Sequence, residues 1–152
     1  MKTKTKPANF SYRTWPFYWL SRASGRYKER MEQLLRPTGL DMPRWRVLMT
    51  LHQDRVAIVS EIAAHSGAKL PTMTKIIQRM EADGLVKRQP RAGKEWIMEV
   101  VLTDRGAAAG KEAWQRADRL YGEAFAGMSE KEIETLSGLL NKVADNLHAV
   151  SE

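Results

Sequence analysis

The chain of 152 residues contains no cysteine, which excludes disulfides, thiol chemistry and cysteine-based zinc sites. Long apolar runs are also absent, since the longest, such as residues 100–102 and 107–109, are far too short to span a bilayer. No apolar stretch typical of a signal peptide follows the first basic residues. We therefore expect a cytoplasmic protein without a membrane partner.

Motifs for catalysis and metal binding are missing as well. The sequence has no nucleophile elbow, phosphate-binding loop or dinucleotide fingerprint. The histidines His52, His65 and His148 lack the neighbouring ligands that zinc sites show. We therefore expect a protein that is not an enzyme and that has no cofactor and no metal.

Positive charge is in excess and unevenly distributed. The net charge is +7, and residues 69–94 alone hold seven basic side chains against two acidic ones. Residues 1–55 hold twelve against four. A polyanion such as DNA is the simplest partner for such patches, although excess charge also serves solubility alone.

Apolar side chains repeat at steps of three and four residues, which predicts amphipathic helices. The first helix runs from about residue 14 to 36. A second begins at Asp41, a natural N-cap, and a third is capped by Ser60. The predicted inner faces of the first two helices are Phe17, Leu20, Tyr27, Met31 and Leu34, and then Trp45, Leu48, Met49 and Leu51.

The fourth predicted helix begins at Pro71 and ends at Asp83-Gly84, where the glycine suits a left-handed conformation. Two short strands follow around a basic turn that runs from Pro90 to Lys94. A hairpin directly after a helix-turn-helix is the winged variant of that motif.

Two long helices complete the chain. Thr103-Asp104 caps the first, and Ser129 with Glu132 forms a capping box at the start of the second. The last helix carries a heptad seam made of Ile133, Leu136, Leu140, Val143, Leu147 and Val150. This seam and the first helix predict a homodimer.

The predicted fold is mainly α with a small β-hairpin wing, a winged helix-turn-helix with N- and C-terminal dimerisation helices. It forms one domain over residues 1–152. Residues of about 41–103 form the DNA-binding region, and those of about 14–36 and 104–150 form the dimerisation helices.

The fourth helix has the composition of a helix that enters the major groove of DNA. Opposite its apolar stripe stand the polar candidates Thr72, Thr74, Lys75, Gln78 and Arg79. The hairpin adds three basic candidates that can reach phosphates or a minor groove, Arg88, Arg91 and Lys94. The sequence therefore predicts double-stranded DNA as the partner, with an ordinary solvated helix face as the alternative.

Four segments together resemble the pattern of MarR-family regulators. They are Arg44-Trp45-Arg46-Val47-Leu48, Ser60-Glu61-Ile62-Ala63, Thr74 to Arg88 with Ile77, Met80 and Gly84-Leu85-Val86, and Val100-x-Leu102-Thr103-x-x-Gly106. The resemblance covers roughly residues 14–150. It implies a dimer on a pseudo-palindromic operator, usually a repressor released by a small, often aromatic and anionic ligand.

One departure from the family lies in the hairpin. The family commonly has Asp-x-Arg six residues before the valine of the Val-x-Leu-Thr segment, where this chain has Lys94 and Trp96. The usual internal salt bridge and minor-groove arginine are therefore absent at those positions. Arg91 and Lys94 are the two candidates for a substitute.

An aromatic cluster near the N-terminus predicts a second site. Its rings could sandwich an aromatic ligand, and an arginine could pair with the ligand carboxylate. The candidate effector-binding residues are Arg13, Trp19, Arg22, Trp45 and Arg46. Packing of the same rings in the core or the dimer interface is the alternative.

The sequence thus favours a sequence-specific DNA-binding transcriptional regulator, a homodimeric repressor released by a small aromatic carboxylate or its thioester. The alternative is a winged-helix protein-interaction module that does not bind specific DNA. A docking surface would place apolar side chains on the exposed face of the fourth helix, whereas this face is polar. The operator, the effector and the sign of regulation stay open.

Overall fold

The structure is a computed structural model that describes residues 11–149. Its elements are α1 (Pro16–Leu35), α2 (Met42–Asp54), β1 (Val56–Ala57), α3 (Val59–Ser66), α4 (Leu70–Ala82), β2 (Val86–Arg91), β3 (Lys94–Leu102), α5 (Asp104–Ala124) and α6 (Glu130–Ala149). Short 3-10 helices precede and follow α1. Within the described residues no helix is long and apolar enough to cross a membrane.

The described part of the chain divides into two compact units, the first ending at Ala117 and the second beginning at Asp118. The first unit contains all elements from α1 to β3 and the beginning of α5. The second contains the end of α5 and all of α6.

The helix starts follow from local hydrogen bonds. Asp41 caps α2 by accepting a hydrogen bond of 2.9 Å from the backbone N–H of Arg44, as predicted. At the start of α6, Glu132 accepts from the backbone N–H of Ser129 at 2.7 Å, and Ser129 Oγ accepts from that of Glu132 at 3.3 Å. The predicted capping box is therefore confirmed, and it holds the pKa of Glu132 below its ordinary value.

The start of α3 differs from the prediction. Ser60 is not the N-cap, because α3 already begins at Val59 and Ile58 is the capping residue. Glu61 supplies the missing acceptor, since its carboxylate takes a hydrogen bond of 3.0 Å from the backbone N–H of Ile58. The short strand β1 keeps the chain extended as far as Ala57 and so sets this start.

The sheet has three antiparallel strands in the order β1-β3-β2, one more than the predicted hairpin. Val56 pairs with Val101 and Ala57 with Val100, so the added strand lies on the free side of β3. A strand of two residues is too short to show alternation, which is why the pattern did not reveal it.

The core of the first unit lies where α2, α3 and α4 meet the sheet. Its fully buried side chains include Leu48, Leu51, Ile62, Met73, Ile77, Met80, Val86 and Val100. One predicted inner position is wrong, since Met49 is 38% exposed while Val47 is fully buried. The reason is that α2 contacts α1, α3, α4 and the sheet, so its buried surface is broader than a single stripe.

The predicted apolar faces of α1 and α6 are largely uncovered in the single chain. On α1, Phe17, Leu20 and Tyr27 are exposed, Met31 is buried and Leu34 is half-buried, while its neighbour Leu35, which was not predicted, is fully buried. On α6 the seam residues Leu136, Leu140, Val143 and Leu147 are exposed, and so is Leu139 beside them. Val150, the last predicted seam position, lies outside the described residues. Such uncovered faces are typical of surfaces that another protein chain covers.

Candidate nucleic-acid interface

The recognition helix α4 owes its position to one buried stripe. Met73, Ile77 and Met80 are each at most 1% exposed, and Pro71 stands in the first turn, where its missing N–H costs nothing. After the helix, Gly84 adopts a φ of 73°, a conformation that glycine takes without steric cost. The stripe therefore fixes which side chains face outward.

The outward face carries the predicted polar residues. Thr72, Lys75, Gln78 and Arg79 are exposed, and Thr74 is half-buried. The Thr74 hydroxyl donates to the carbonyl oxygen of Leu70 at 2.9 Å, so its proton is used within the helix. The side chains of Lys75, Gln78 and Arg79 make no hydrogen bond or ion pair with any other described residue. They are therefore available to base edges and phosphates.

The wing, β2 and β3, is attached to the end of this helix by one carboxylate. Glu81 on α4 accepts hydrogen bonds from Arg88 on β2, at 2.9 Å from Nε and at 3.1 Å from the backbone N–H. A further guanidinium nitrogen lies 2.8 Å away. These hydrogen bonds from Arg88 hold the pKa of Glu81 below its ordinary value. Helix and wing therefore share an ionic joint.

The other two wing candidates differ from each other. Arg91 donates through Nε to Glu99, a β3 carboxylate that is only 9% exposed, and this hydrogen bond raises the pKa of Arg91. Lys94 is exposed and makes no ion pair with any other described residue. Arg91 therefore provides an internal salt bridge within the wing, while Lys94 remains a free cation.

Three contacts close the base of the wing, of which the sequence predicts only the cap of α5 at Thr103. Thr103 Oγ1 donates to the carbonyl oxygen of Gly84 at 2.6 Å and accepts from the backbone N–H of Gly106 at 3.0 Å. A Cβ at Gly106 would lie 1.8 Å from the carbonyl oxygen of Leu85, so only glycine fits there. The start of α5 and the loop between α4 and β2 are thereby locked together.

A second ionic contact holds the end of the recognition helix from the other side. Arg44 on α2 lies 3.0 Å from the carboxylate of Asp83, the residue that follows α4. Arg44 also donates to the carbonyl oxygen of Gly39 at 3.4 Å. The resemblance pattern contains Arg44, but its partner Asp83 lies 39 positions later in the sequence, so no local pattern marked Arg44 as part of this joint.

Comparisons with known proteins agree with this geometry. Residues 40–93 match the model of the MarR family. The HTH-type transcriptional repressor IacR of Pseudomonas putida is 38% identical over 146 residues, which span 95% of this chain and 87% of that protein.

The chain belongs to the MarR family. It is accordingly a DNA-binding transcriptional regulator, as its sequence predicts.

Solved MarR-family structures share the fold. CouR of Rhodococcus jostii RHA1, bound to p-coumaroyl-CoA, superposes with a TM-score of 0.84 at 21% identity and covers 90% of this chain and 96% of CouR. A mutant of MarR from E. coli, complexed with operator DNA, gives a TM-score of 0.74 at 21% identity, with 90% and 99% covered. The predicted winged helix-turn-helix fold is therefore confirmed.

MarR regulators are dimers, and a homodimer was predicted for this chain. The uncovered apolar faces of α1 and α6 are suited to contacts with a second copy.

The predicted effector residues of this MarR-family chain fall into separate places. At the start of α1, Trp19 Nε1 donates to the carbonyl oxygen of Arg13 at 2.7 Å, and Arg22 donates to the hydroxyl of Tyr18 at 3.0 Å. Arg46, on α2, lies 3.5 Å from the carbonyl oxygen of Ser66. Arg22 thus interacts with its own helix, and Arg13 with the 3-10 turn that precedes α1, both at some distance in sequence from Trp45.

Trp45 lines a groove between α2 and the beginning of α5. The groove has a volume of about 390 Å³, and its lining includes Trp45, Met49, His52, Arg55, Lys111 and Trp114. The ring of Trp114 lies 5.8 Å from that of Trp45 and 6.3 Å from that of His52, measured between centroids. Two indoles, an imidazole and two cationic side chains therefore surround one space.

Two features of this groove are uncommon for residues that only pack in a core. The buried indole N–H of Trp45 has no hydrogen-bond partner among the described residues, which is uncommon for a buried donor. Arg55, the residue that follows α2, has a backbone φ of 66°, a value that residues other than glycine rarely adopt. Sequence reasoning missed His52 and Trp114, although Trp45, Met49 and His52 recur at helical spacing on one face of α2.

Proposed function

We propose that this MarR-family protein is a homodimeric repressor that binds a pseudo-palindromic operator through α4 and the wing of each subunit. The observation that carries this proposal is the outward face of α4, where Lys75, Gln78 and Arg79 are free above a fully buried stripe. A helix entering the major groove needs such a face, while a protein-docking surface would be apolar.

The proposed division of labour follows the elements. Residues of about 41–103 contact DNA, and the helices of about 14–36 and 104–150 join the two copies. Thr72 and Thr74 lie on the same face as the free cations of α4, and Arg88, Arg91 and Lys94 contact the DNA backbone from the wing. We propose that the protein regulates transcription and is not an enzyme. It acts in the cytoplasm, because its operator DNA is located there.

We further propose that the groove beside Trp45 binds the effector, an aromatic carboxylate. A volume of about 390 Å³ suits a ligand of one or two rings. The rings of Trp45 and Trp114 can stack on it, and Arg55 or Lys111 can pair with its carboxylate. The relative CouR binds p-coumaroyl-CoA, whose acyl group is aromatic. Arg13, Trp19, Arg22 and Arg46 remain predicted effector residues, although they do not line this groove.

The DNA-binding half of the proposal is tested by fluorescence anisotropy on duplex from the upstream region of the gene, across a salt series. We expect tight, sequence-dependent binding that Arg79→Ala weakens about tenfold or more, since a bidentate base contact is worth about 1–3 kcal/mol. Arg26→Ala is the matched control, because Arg26 is an exposed arginine outside α4 and the wing, and the two variants are compared after gel filtration shows that each is still a dimer. Equal loss in both variants would contradict the assignment of α4.

The effector half is tested by adding benzoate, naphthoate and indole carboxylates to the bound complex. We expect the carboxylates to lower the anisotropy and their neutral amides to have little effect. Trp114→Ala should abolish the response without changing DNA affinity in the absence of ligand. A response that persists in Trp114→Ala would place the effector site elsewhere.

A further inference from the structure

The wing carries one aromatic side chain that does not pack into the core of the fold. Trp96 on β3 is 79% exposed, the highest fraction among the large apolar side chains of the described residues. Its ring makes no aromatic or cation–π contact with another described residue, and its indole N–H makes no hydrogen bond with one. Met98, two residues further along β3, is 44% exposed.

Trp96 lies in the middle of an irregularity in the hairpin. Pro90 pairs with Met98, but the next residue of β2, Arg91, pairs with Lys94. Residues 95–97 of β3 therefore have no partner on β2 in the ladder. Bulges of this kind redirect side chains and are frequent beside functional sites. The hairpin thus holds Trp96 clear of the sheet.

The wing around Trp96 carries four cations, Lys87, Arg88, Arg91 and Lys94, against the two carboxylates Glu95 and Glu99. Arg88 and Arg91 are hydrogen-bonded to carboxylates, while Lys94, two residues before Trp96, is a free cation. A surface with an apolar centre and a basic rim is complementary to DNA, whose phosphates flank the apolar sugar edges of the minor groove. The joint between Glu81 and Arg88 keeps this hairpin beside α4. When α4 occupies the major groove, the hairpin meets the adjacent stretch of duplex.

We infer that Trp96 is a DNA-binding residue that places its indole against the minor groove next to the site read by α4. This inference rests on the proposed function of α4 and adds to it an apolar contact in the wing. Apolar side chains inserted in a minor groove unstack base steps and bend the duplex. Their contribution differs from that of a cation, since it releases no counterion and is insensitive to salt.

The salt dependence of binding distinguishes the two kinds of contact. We expect Trp96→Ala to weaken operator binding about tenfold at every salt concentration, in line with the cost of losing an aromatic contact to a base. The slope of log affinity against log salt should not change. Lys94→Ala, the matched control from the same strand, should instead reduce that slope by about one unit. Trp96→Phe should retain most of the affinity.

Two spectroscopic readouts accompany the affinities. Operator DNA should change the tryptophan emission of the protein, and most of that change should be missing in Trp96→Phe. Energy transfer between dyes at the two ends of the duplex should report a smaller bend with Trp96→Ala than with the unaltered protein. Thermal unfolding followed by circular dichroism should be unchanged, since the replaced side chain is exposed.

Arg79→Ala, measured in parallel, separates this inference from the proposed function. If Arg79→Ala weakens binding while Trp96→Ala leaves affinity, emission change and bend unaltered, the inference is overturned and the function of α4 stands. A change of oligomeric state in Trp96→Ala with normal DNA binding would assign the indole to a protein contact and also overturn it. Failure of the unaltered protein to bind any duplex would overturn both.

Discussion

The recognition helix and the wing use their cations in different ways. On α4, Lys75 and Arg79 extend from the helix without any partner among the described residues. On the wing, the arginines Arg88 and Arg91 are already hydrogen-bonded to Glu81 and Glu99. One region thus keeps its cations free, and the other pairs two of its four cations with carboxylates.

This difference indicates separate tasks for the two regions. A free side chain can adjust to different bases, but it loses rotamer freedom when it binds. A guanidinium held by a carboxylate is already fixed in position before DNA binds. Because the carboxylate neutralises its charge, it attracts phosphate less strongly than a free guanidinium does. We conclude that α4 supplies adjustable contacts, while the arginines of the wing mainly fix where the hairpin stands and leave Lys87 and Lys94 as its free cations.

The largest effect should come from Gly106→Ala, which disturbs both regions together. The added Cβ would meet the carbonyl oxygen of Leu85, in the loop between α4 and the wing, so backbone must shift. We expect a loss of about 3 kcal/mol in the free energy of unfolding, measured by urea denaturation. Gly110→Ala is the control, because its Cβ would lie 3.8 Å from Leu48 and alanine favours a helix. Equal stability of the two variants would contradict the proposed lock.

The contrast between free and engaged cations should appear in the salt dependence of operator binding. Lys75→Ala should reduce the slope of log affinity against log salt by about one unit, as expected for one lost phosphate contact. Arg88→Ala should reduce it less, because Glu81 already neutralises Arg88. Binding titrations at several salt concentrations measure both slopes. Identical reductions would show that the wing arginine is as free as the helix lysine.

The difference between free and paired cations can be reduced by removing Glu99, the carboxylate that pairs with Arg91. Glu99→Gln removes the carboxylate that engages this arginine, so the wing should gain a free cation. We expect tighter operator binding at low salt and a slope steeper by a fraction of one unit. Glu95→Gln is the matched control, since it removes the same charge from an exposed position of the same strand. If both variants shift the slope alike, net charge alone is responsible.

The smallest effect concerns the pH dependence of the joint between helix and wing. Because Arg88 lowers the pKa of Glu81 in the folded protein, the joint stabilises the fold fully above the ordinary value of 4.5. This stabilisation is lost as the pH falls through the lower folded value. Glu81→Gln should therefore lower the free energy of unfolding by about 0.5 kcal/mol at pH 7, a value that allows for solvent screening, and by progressively less below pH 4.5. Thermal melts across pH measure this, and a constant difference would exclude the carboxylate as its origin.

The helices and the outward face of α4 could be predicted because their signals are local. The stripe of Met73, Ile77 and Met80 and the caps at Asp41 and Ser129 each occupy one or two helical turns. The ion pairs of the wing could not be predicted. Glu81 and Arg88 meet across a loop, and Arg91 meets Glu99 only in the irregular register of the hairpin, which composition does not reveal.

The aromatic groove shows the same limit. The sequence pattern groups Trp45 with the aromatic residues near the N-terminus as a candidate effector-binding residue. Its ring partner Trp114, however, lies 69 positions later on α5. Only the packing of α5 against α2 brings the two indoles together. A pattern on one helix can therefore suggest half of such a groove, and tertiary structure supplies the other half.

The proline of the bulge has a further consequence for how copies of this protein meet. β2 is an edge strand, and an edge with free N–H groups invites strands of other chains. Pro90 offers no N–H, and Lys87, Arg88 and Arg91 place positive charge along the same short strand. Sheet-to-sheet aggregation is thereby discouraged even where many copies crowd along one duplex, and self-association is left to the helices.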